Sequence, residues 1–253
     1  AKLGPVSVRK LLLAFDNDPR KILLASRSKL LSVDGVGPVM VDSILARKNI
    51  KWLENEKKAI ASRGIQFLTK KFYPELLKQI YDPPIGLYLK GSIPKMPCIA
   101  IVGTRQPSLY GRRICQQLAS GLAEEGLCIV SGMARGIDSI AHEAALSVKG
   151  KTIAFLGSGI DIVYPPENLK LYQEISAKGG VLSEFSLGRK ADRRTFPMRN
   201  RLVSGVSSAV IVIESAASGG SLITAQFAAE QGRLVFAVPG RVDQPTSAGC
   251  NGL

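Results

Sequence analysis

Between Cys98 and Val238 the sequence alternates short, almost uninterrupted apolar runs with longer amphipathic stretches, and this alternation limits the possible folds more than any other feature. The apolar runs predict buried strands, and the stretches between them predict helices. Strands that are apolar on both faces are typical of a parallel sheet covered by helices on both sides. We therefore expect an α/β domain with an extended Rossmann-like, doubly wound, mostly parallel sheet. The predicted strands are 98–102, 127–131, 151–156, 181–184, 208–213 and 234–238.

Glycine and hydroxyl residues follow four of these strands directly. Because the carboxyl ends of parallel strands meet at one rim of the sheet, such loops predict a binding crevice there. Glycine lets the backbone approach a ligand closely, and hydroxyl and amide groups bind phosphate oxygens. The alternative is that these residues only form turns. The candidate binding residues in the loops are Gly103, Thr104, Arg105, Gly132, Arg135, Ser158, Gly159, Gly219, Gly220 and Ser221.

The charge of the chain favours a polyanionic partner, with 34 Lys and Arg against 20 Asp and Glu and a net charge of +14. Residues 95–253 contain 17 basic and 12 acidic residues. A basic window at 188–201 contains six of these basic residues and one acidic residue. The remainder of that part is therefore balanced. The positive excess of the predicted α/β domain is concentrated in this one segment.

An aromatic residue, Phe196, lies among the cations of the basic window. Aromatic and cationic side chains together stack bases and hold phosphates in single-stranded nucleic acid. Arg199 and Arg201 are too close in sequence to share a helix face, whereas Arg193 and Phe196 can share one. The alternative for Phe196 is a core position beneath the loop. The candidate contacts in this window are Lys190, Arg193, Phe196 and Arg199.

The first 70 residues form a separate predicted module. A Gly-Pro pair opens a helical pattern at Gly4 and again at Gly37, which indicates a repeated helical unit. Residues 33–37 resemble the hairpin of helix-hairpin-helix motifs, whose backbone amides can face a DNA phosphate. A plain helical packing module is favoured over this function, because the repeat has only one convincing Gly-x-Gly turn. Residues 71–94 are interpreted as a linker that adds an edge strand to the next domain, and 95–253 as the Rossmann-like domain.

Several classes of site are disfavoured by what the sequence lacks. No apolar run reaches the 18 residues of a membrane span, so we expect no membrane insertion. Four scattered Cys and one His disfavour a zinc site or a disulfide scaffold and favour a reducing, cytoplasmic setting. The sequence contains neither a P-loop nor a complete dinucleotide fingerprint. We therefore expect no cofactor and no metal.

Candidate catalytic groups are few. His142 follows Asp138 by four residues, which favours an intrahelical hydrogen bond over general-base chemistry. Glu184 and Glu214 end strands that we expect to be neighbours, so the two side chains could approach one another. Hydrogen bonds from loop amides to these carboxylates are favoured over a catalytic pair. We therefore assign no catalytic residue.

Several long motifs resemble those of the DNA processing protein A (DprA, also called Smf) family. The resemblance implies a helical, SAM-like module before the Rossmann-like domain, and a cytoplasmic homodimer. It also implies a protein that binds and protects single-stranded DNA during natural transformation and loads the RecA recombinase. The motifs are residues 101–105 (IVGTR), 131–138 (SGMARGID) with His142, 164–168 (YPPEN), 196–201 (FPMRNR), 219–225 (GGSLITA) and 238–240 (VPG).

By motif position, Arg105 resembles the main DNA-contacting arginine of the family, and Arg193 and Phe196 lie near its other contact region. Thr104 stands where many members have Ser, and Ser158 where many have Cys. Many members continue into a winged-helix domain, which we do not expect within residues 1–253. The start at Ala1 is compatible with a fragment of a longer protein.

The main rival is an enzyme of a related fold, similar to nucleoside-monophosphate phosphoribohydrolases. In those enzymes a Gly-Gly-x-Gly-Thr loop is followed closely by a catalytic Glu. Residues 218–224 resemble that loop, but the next acid is Glu230, more than a helical turn beyond Thr224. Hydrolysis would then lack its acid-base group. A basic scaffold that binds only protein is a third possibility.

Overall fold

The computed structural model describes residues 3–46 and 51–253. The chain divides into two compact units, Ala1–Gly64 and Ile65–Leu253. The first unit is helical in its described residues. Its helices are α1 (Pro5–Ala14), α2 (Pro19–Leu24), α3 (Arg27–Leu31), α4 (Pro38–Leu45) and α5 (Lys51–Ser62).

The helices of the first unit begin where the sequence supplies helix-start signals. Proline occupies the first turn of α1, α2 and α4, where its fixed φ suits the helix and its missing N–H is not needed. The side chain of Asp18 accepts the N–H of Arg20 at 2.8 Å and caps α2. Gly35, between α3 and α4, has a φ of +75°, which glycine adopts without steric cost. The core of this unit consists of Leu11, Phe15, Ile22, Ala25, Leu30, Val36, Val41 and Ile44.

The second unit is built on one eight-stranded sheet. Its strands are β1 (Gln66–Leu68), β2 (Leu87–Gly91), β3 (Cys98–Val102), β4 (Cys128–Ser131), β5 (Thr152–Phe155), β6 (Gly180–Ser183), β7 (Ala209–Val212) and β8 (Leu234–Ala237). Its helices are α6 (Glu75–Gln79), α7 (Leu109–Glu124), α8 (Ile137–Ser147), α9 (Leu169–Lys178), α10 (Thr195–Gly205), α11 (Gly220–Glu230) and α12 (Ala248–Asn251), with 3₁₀ turns at Lys70–Phe72 and Pro166–Asn168.

The strand order is β1-β2-β6-β5-β4-β3-β7-β8. The six strands β3 to β8 are parallel to one another, whereas β1 pairs antiparallel with β2 and β2 antiparallel with β6. This confirms the predicted fold class. From β3 the chain moves through β4 and β5 to β6, and it then returns to place β7 on the other side of β3. The carboxyl ends of β3 and β7 therefore form a topological switch point, where doubly wound sheets leave a crevice.

The antiparallel end of the sheet differs from the expectation. The edge strand expected within residues 71–94 forms as β2, but it is the second strand of the sheet because β1 pairs outside it. Phe67 of β1 contacts Tyr88 of β2 edge to face, with ring centroids 5.1 Å apart. The three-residue strand β1 is too short to be recognised from sequence periodicity. Its position in the sheet depends on its pairing with β2.

The sheet is covered on both faces, as its apolar strands predict. Strand β3 shows the alternation: Ile101 packs in the cluster with Cys115 of α7 and Ile137 of α8. Ala100 and Val102 pack on the opposite side, in a cluster that contains residues of α6, α10 and α11. Helices α10 and α11 thus lie on one face of the sheet and α7 and α8 on the other.

The described residues hold no group of three or more His, Cys, Asp or Glu placed to bind a metal ion. All four cysteines are buried as free thiols. Among the same residues, no helix has the length and apolar character needed to cross a bilayer.

Candidate nucleic-acid interface

A groove of about 700 Å³ lies at the carboxyl ends of β3, β4 and β7. It occupies the switch point of the sheet, where the fold leaves room for a ligand. Three of the four predicted loops reach it, together with the first turns of α10 and α11. The predicted site residues that line it are Gly103, Thr104, Arg105, Gly132, Arg193, Phe196, Arg199, Gly219, Gly220 and Ser221.

The loop after β3 is fixed from two sides. The N–H of Thr104 donates to the Glu214 carbonyl oxygen at 2.7 Å, and the Thr104 carbonyl accepts the N–H of Ile137 at 3.2 Å. The Thr104 hydroxyl accepts the N–H of Gln106 at 3.2 Å. These bonds connect the loop to the end of β7 and to the start of α8. Arg105 is therefore presented from a rigid base.

Arg105 itself is exposed at the groove. Its guanidinium carbon lies 5.1 Å from the centre of the Phe196 ring, a cation–π contact worth about 0.5–1 kcal/mol at an exposed site. Arg193 is also exposed and lines the same groove. Within the described part of the chain, neither Arg105 nor Arg193 forms an ion pair with a carboxylate. Both charges are thus available to an anion.

Arg199 has a different environment, at the floor of the groove. It is 4% exposed, its Nη1 donates to the Phe155 carbonyl at 3.1 Å, and the same nitrogen lies 3.9 Å from Asp138 Oδ2. Burial lowers the pKa of Arg199, against the attraction of Asp138. A Cβ at Gly132 would lie 1.3 Å from Nη1, so any larger residue there would displace the guanidinium. Arg199 therefore supports the groove from below rather than projecting into it.

Asp138 and His142 do not form the predicted hydrogen bond. Asp138 accepts the N–H groups of Gly132 and Ala134, each at 3.2 Å, and burial raises its pKa. His142 Nδ1 lies 2.6 Å from the Thr152 hydroxyl, which itself donates to a backbone carbonyl at 2.7 Å. The imidazole is thus directed across the sheet face to β5. The prediction of an intrahelical pair is wrong because Asp138 is bound by the loop after β4.

Glu184 and Glu214 also differ from the expectation. They follow β6 and β7, which three strands separate, so the two carboxylates cannot form a pair. Glu214 accepts the Ser108 N–H and the Thr246 hydroxyl, each at 2.9 Å, which confirms its predicted hydrogen bonding to a loop amide. Glu184 instead pairs with Arg201 of α10.

The start of α11 forms one wall of the groove, where Gly219, Gly220 and Ser221 lie. The Ser221 hydroxyl donates to the Ser215 hydroxyl at 2.8 Å. Helix N-termini carry free amide groups and a partial positive charge. Three arginines and one carboxylate, Asp138, stand among the groove-lining residues. The arrangement can bind phosphate groups along a positively charged path.

Four predicted residues lie outside the groove. Ser158 is 1% exposed and its hydroxyl donates to the Ile162 carbonyl at 2.6 Å, while the Gly159 N–H donates to the Arg189 carbonyl at 2.7 Å. The chain at 157–159 thus turns inward, and of these three residues only Gly157 lines a small depression beside the groove. The prediction of a free Ser158 hydroxyl at the rim is therefore wrong. Lys190 is exposed but does not line the groove.

Arg135 is the fourth of these residues, and it lines the small depression together with Arg105. Its guanidinium forms an ion pair with Glu167 that raises its pKa. Tyr164 lines the same depression and contacts Phe196, although sequence reasoning does not select it. The motif at 164–168 is the only local signal for Tyr164, and its proximity to Phe196 arises from the fold.

The sheet order and the arginine-lined groove at its switch point define the class as a Rossmann-like protein. The family model described as DNA recombination-mediator protein A matches residues 64–253. Curated relatives include Protein Smf of Synechocystis sp., 38% identical over 99% of this chain and 65% of that protein. DNA processing protein DprA of Bacillus subtilis is 44% identical over 72% of this chain and 62% of that protein.

Solved structures agree with this match. DNA processing protein A from Streptococcus pneumoniae superposes with a TM-score of 0.88 and 35% identity, over 99% of this chain and 87% of that one. DNA processing protein A from Helicobacter pylori, whose structure is described for its single-stranded DNA binding mode, superposes with a TM-score of 0.67 and 35% identity. The match covers 74% of this chain and 86% of that one. The chain belongs to the DNA recombination-mediator protein A (DprA/Smf) family. It spans 62–65% of the length of the two curated relatives named.

Proposed function

We propose that this chain binds single-stranded DNA in the groove between the carboxyl ends of β3 and β7, as a binding protein and not as an enzyme. One observation carries the proposal: two exposed arginines without carboxylate partners in the described structure, Arg105 and Arg193, share one groove with a partly exposed aromatic ring, Phe196. Cations and aromatic rings in one groove are what an unpaired strand requires. The described single-stranded DNA binding of the Helicobacter pylori relative supports the same function.

In this mechanism the phosphates and the bases are held by different groups. Phosphate oxygens rest on Arg105, Arg193 and the amide groups at the start of α11, while bases stack on the Phe196 ring. Arg199 stays below, fixing the loop after β4 through Gly132 and Asp138. Since stacking uses the π face that every base presents, we expect the strand to be bound with little sequence preference.

Membership in a family of recombination mediators supports a wider role. The protein would protect incoming single-stranded DNA and load the RecA recombinase onto it during natural transformation. It would act in the cytoplasm as a homodimer, with no cofactor. Co-sedimentation with RecA in the presence and absence of single-stranded DNA, together with the solution mass, tests both partners.

Titration of labelled oligo-dT at several salt concentrations tests the binding itself. If Arg105 and Arg193 each neutralise one phosphate, log affinity should fall with log salt at a slope near −1.4, from roughly −0.7 per phosphate. Arg105→Ala should weaken binding to every sequence alike and make the slope less steep by about 0.7. A slope near zero, or unchanged affinity in the variant, would contradict the proposed groove.

The hydrolase alternative has a direct assay. Glu230 lies exposed at the far end of α11 and pairs with Gln226, while the one carboxylate lining the groove, Asp138, is bound by two backbone amides. Release of adenine from AMP, measured beside oligo-dT binding, separates the two functions. Base release at the turnover of an ordinary hydrolase would replace the binding proposal.

A further inference from the structure

The motif at residues 164–168 has no role in the groove described above, yet it places an aromatic ring beside it. Tyr164 is 41% exposed. Its ring centroid lies 5.8 Å from that of Phe196, with the planes tilted by 41°. Both rings line the small depression that adjoins the groove, as do Arg105 and Arg135. An exposed aromatic ring beside two cations has the composition of a nucleobase-binding surface.

The loop that carries Tyr164 is held in place on both sides. The buried side chain of Asn168 donates to the Met133 carbonyl at 2.9 Å and to the Ser139 hydroxyl at 2.8 Å. Before Tyr164, the carbonyl of Ile160 accepts the hydroxyl of Tyr172 at 2.9 Å. A ring on a braced loop loses little conformational freedom when a ligand stacks on it, so more of the contact energy is retained as affinity.

The two rings cannot enclose a base between them. Carbon atoms in contact lie about 3.5 Å apart, so an intercalated base needs a ring separation of about 7 Å. The observed 5.8 Å with a 41° tilt is too small. Arg105 also lies over the Phe196 ring and covers part of its surface. Bases must therefore stack on the ring faces that point away from the other ring. Tyr164 adds a second stacking face next to that of Phe196, which Arg105 partly covers.

We propose that Tyr164 is a second base-stacking residue, so that two successive bases of an unpaired strand stack on Phe196 and Tyr164 as the strand leaves the groove over the depression. The inference rests on the proposed function and adds a nucleobase subsite to it. The phosphate between these bases then passes near Arg105. The site accepts any base, because every base presents a π face.

Binding of labelled oligo-dT and of a fully abasic strand of equal length tests this site in wild type, Tyr164→Ala and Tyr164→Phe. Loss of the ring should weaken oligo-dT binding by about 5- to 10-fold, the lower part of the range for one stacked base. Tyr164→Phe keeps the π face and should stay within about twofold of wild type. Abasic strands should bind Tyr164→Ala and wild type equally, and the salt slope should not change. Tyr81→Ala, at a fully exposed tyrosine outside the groove lining, is the matched control.

The outcomes separate the subsite from the groove. If wild type binds oligo-dT and Tyr164→Ala binds it equally well, the second stacking face is overturned while the proposed function stands. An equal loss on dT and abasic strands also overturns it, because the ring would then act on the fold alone. If wild type binds neither strand, the proposed function and this subsite fall together. Thermal unfolding of each variant confirms that the compared proteins are folded.

Discussion

The basic window at 188–201 contains two regions with opposite environments. Its first half is a loop in which Lys190, Arg193 and Arg194 are exposed. Its second half is the start of α10, where Arg199 and Arg201 are 4% and 6% exposed. Both halves carry an excess of cations. A dense run of arginine therefore does not by itself define a binding surface, because two of the five arginines, Arg199 and Arg201, are buried and hold the fold together.

The buried half is held by specific partners. Arg201 pairs with Glu184 at 2.5 Å and donates to the Asp82 carbonyl at 2.6 Å. Arg199 lies against Gly132 and Phe155. Two residues apart on one helix, these arginines point to different neighbours, as their spacing predicts. Among the residues that the structure describes, the cations of the exposed half have one carboxylate partner, in the pair between Arg189 and Asp192.

The largest expected difference between the halves is in stability. Arg201→Ala would remove the buried cation that pairs with Glu184, and removing one partner of a buried ion pair costs about 3–5 kcal/mol. Arg194→Ala, at an exposed site in the same window, should change the free energy of unfolding by less than about 0.5 kcal/mol. Urea unfolding of both variants measures this. Equal stabilities would mean that the two halves do not differ.

The next effect is a pH dependence set by the buried cluster. Burial, helped by repulsion from Arg199, lowers the pKa of His142 from 6.5 to about 3. Its tautomer is fixed: the Thr152 hydroxyl donates to the Ile129 carbonyl, so Nδ1 must carry the hydrogen that it donates to Thr152. If His142 becomes charged, the added proton lies on Nε2, which has no hydrogen-bond acceptor among the described residues.

The unfolded chain binds this proton below pH 6.5 and the folded protein only near pH 3, so stability is lost as pH falls through that window. The loss is about 1.4 kcal/mol per pH unit well inside it. The raised pKa of Asp138 acts in the opposite direction. Urea unfolding near pH 6 and pH 5 should therefore show a smaller decrease for His142→Asn than for wild type, by about 1 kcal/mol. Parallel curves would place His142 in a solvated environment.

The sequence predicts features of the fold that depend on local patterns, and it does not predict features that depend on contacts between distant residues. The six strands from 98 to 238 are confirmed, because an apolar run is a local signal that burial on both faces requires. The placement of β1 outside β2 depends on pairing across the sheet. The inward turn at Ser158 depends on its bond to the Ile162 carbonyl. Such contacts leave no periodic trace in the sequence.

The site follows the same rule. Loops at the switch point were predictable because strand ends share a rim in any doubly wound sheet. Which arginines face that rim was not, because Arg193 and Arg199 differ in burial and not in type. Tyr164 lies beside Phe196 only through the path of the chain after β5. Residue types therefore indicated the chemistry of the groove, and the fold selected its members.

Substitutions in the exposed half of the window should change the affinity for oligo-dT and leave the free energy of unfolding unchanged. Arg193→Ala is expected to weaken oligo-dT binding by about 3- to 10-fold and to make the salt slope less steep by about 0.7, since one phosphate contact is lost. Its unfolding curve should match that of wild type. Arg113→Ala, at an exposed arginine on α7 away from the groove, is the control and should bind like wild type. Equal losses in the two variants would indicate binding by net charge alone.

The smallest effect concerns a cation that is exposed yet already paired. Arg135 lies beside the depression that contains Arg105, but Glu167 neutralises it. Glu167→Gln keeps the side-chain shape and removes the negative charge, which leaves Arg135 free to meet a phosphate. Oligo-dT affinity at low salt should rise by about two- to threefold, and the salt slope should become steeper by up to about 0.7.

The control for this change is Glu174→Gln, because Glu174 pairs with Lys178 on α9 at similar exposure and outside the groove lining. Both substitutions add one unit to the net charge, so a general electrostatic effect would raise affinity equally in the two variants. A gain confined to Glu167→Gln places the strand over the depression. A loss of affinity would mean that the ion pair holds the loop after β4 in its binding geometry, and that Arg135 belongs with the buried arginines in supporting the fold.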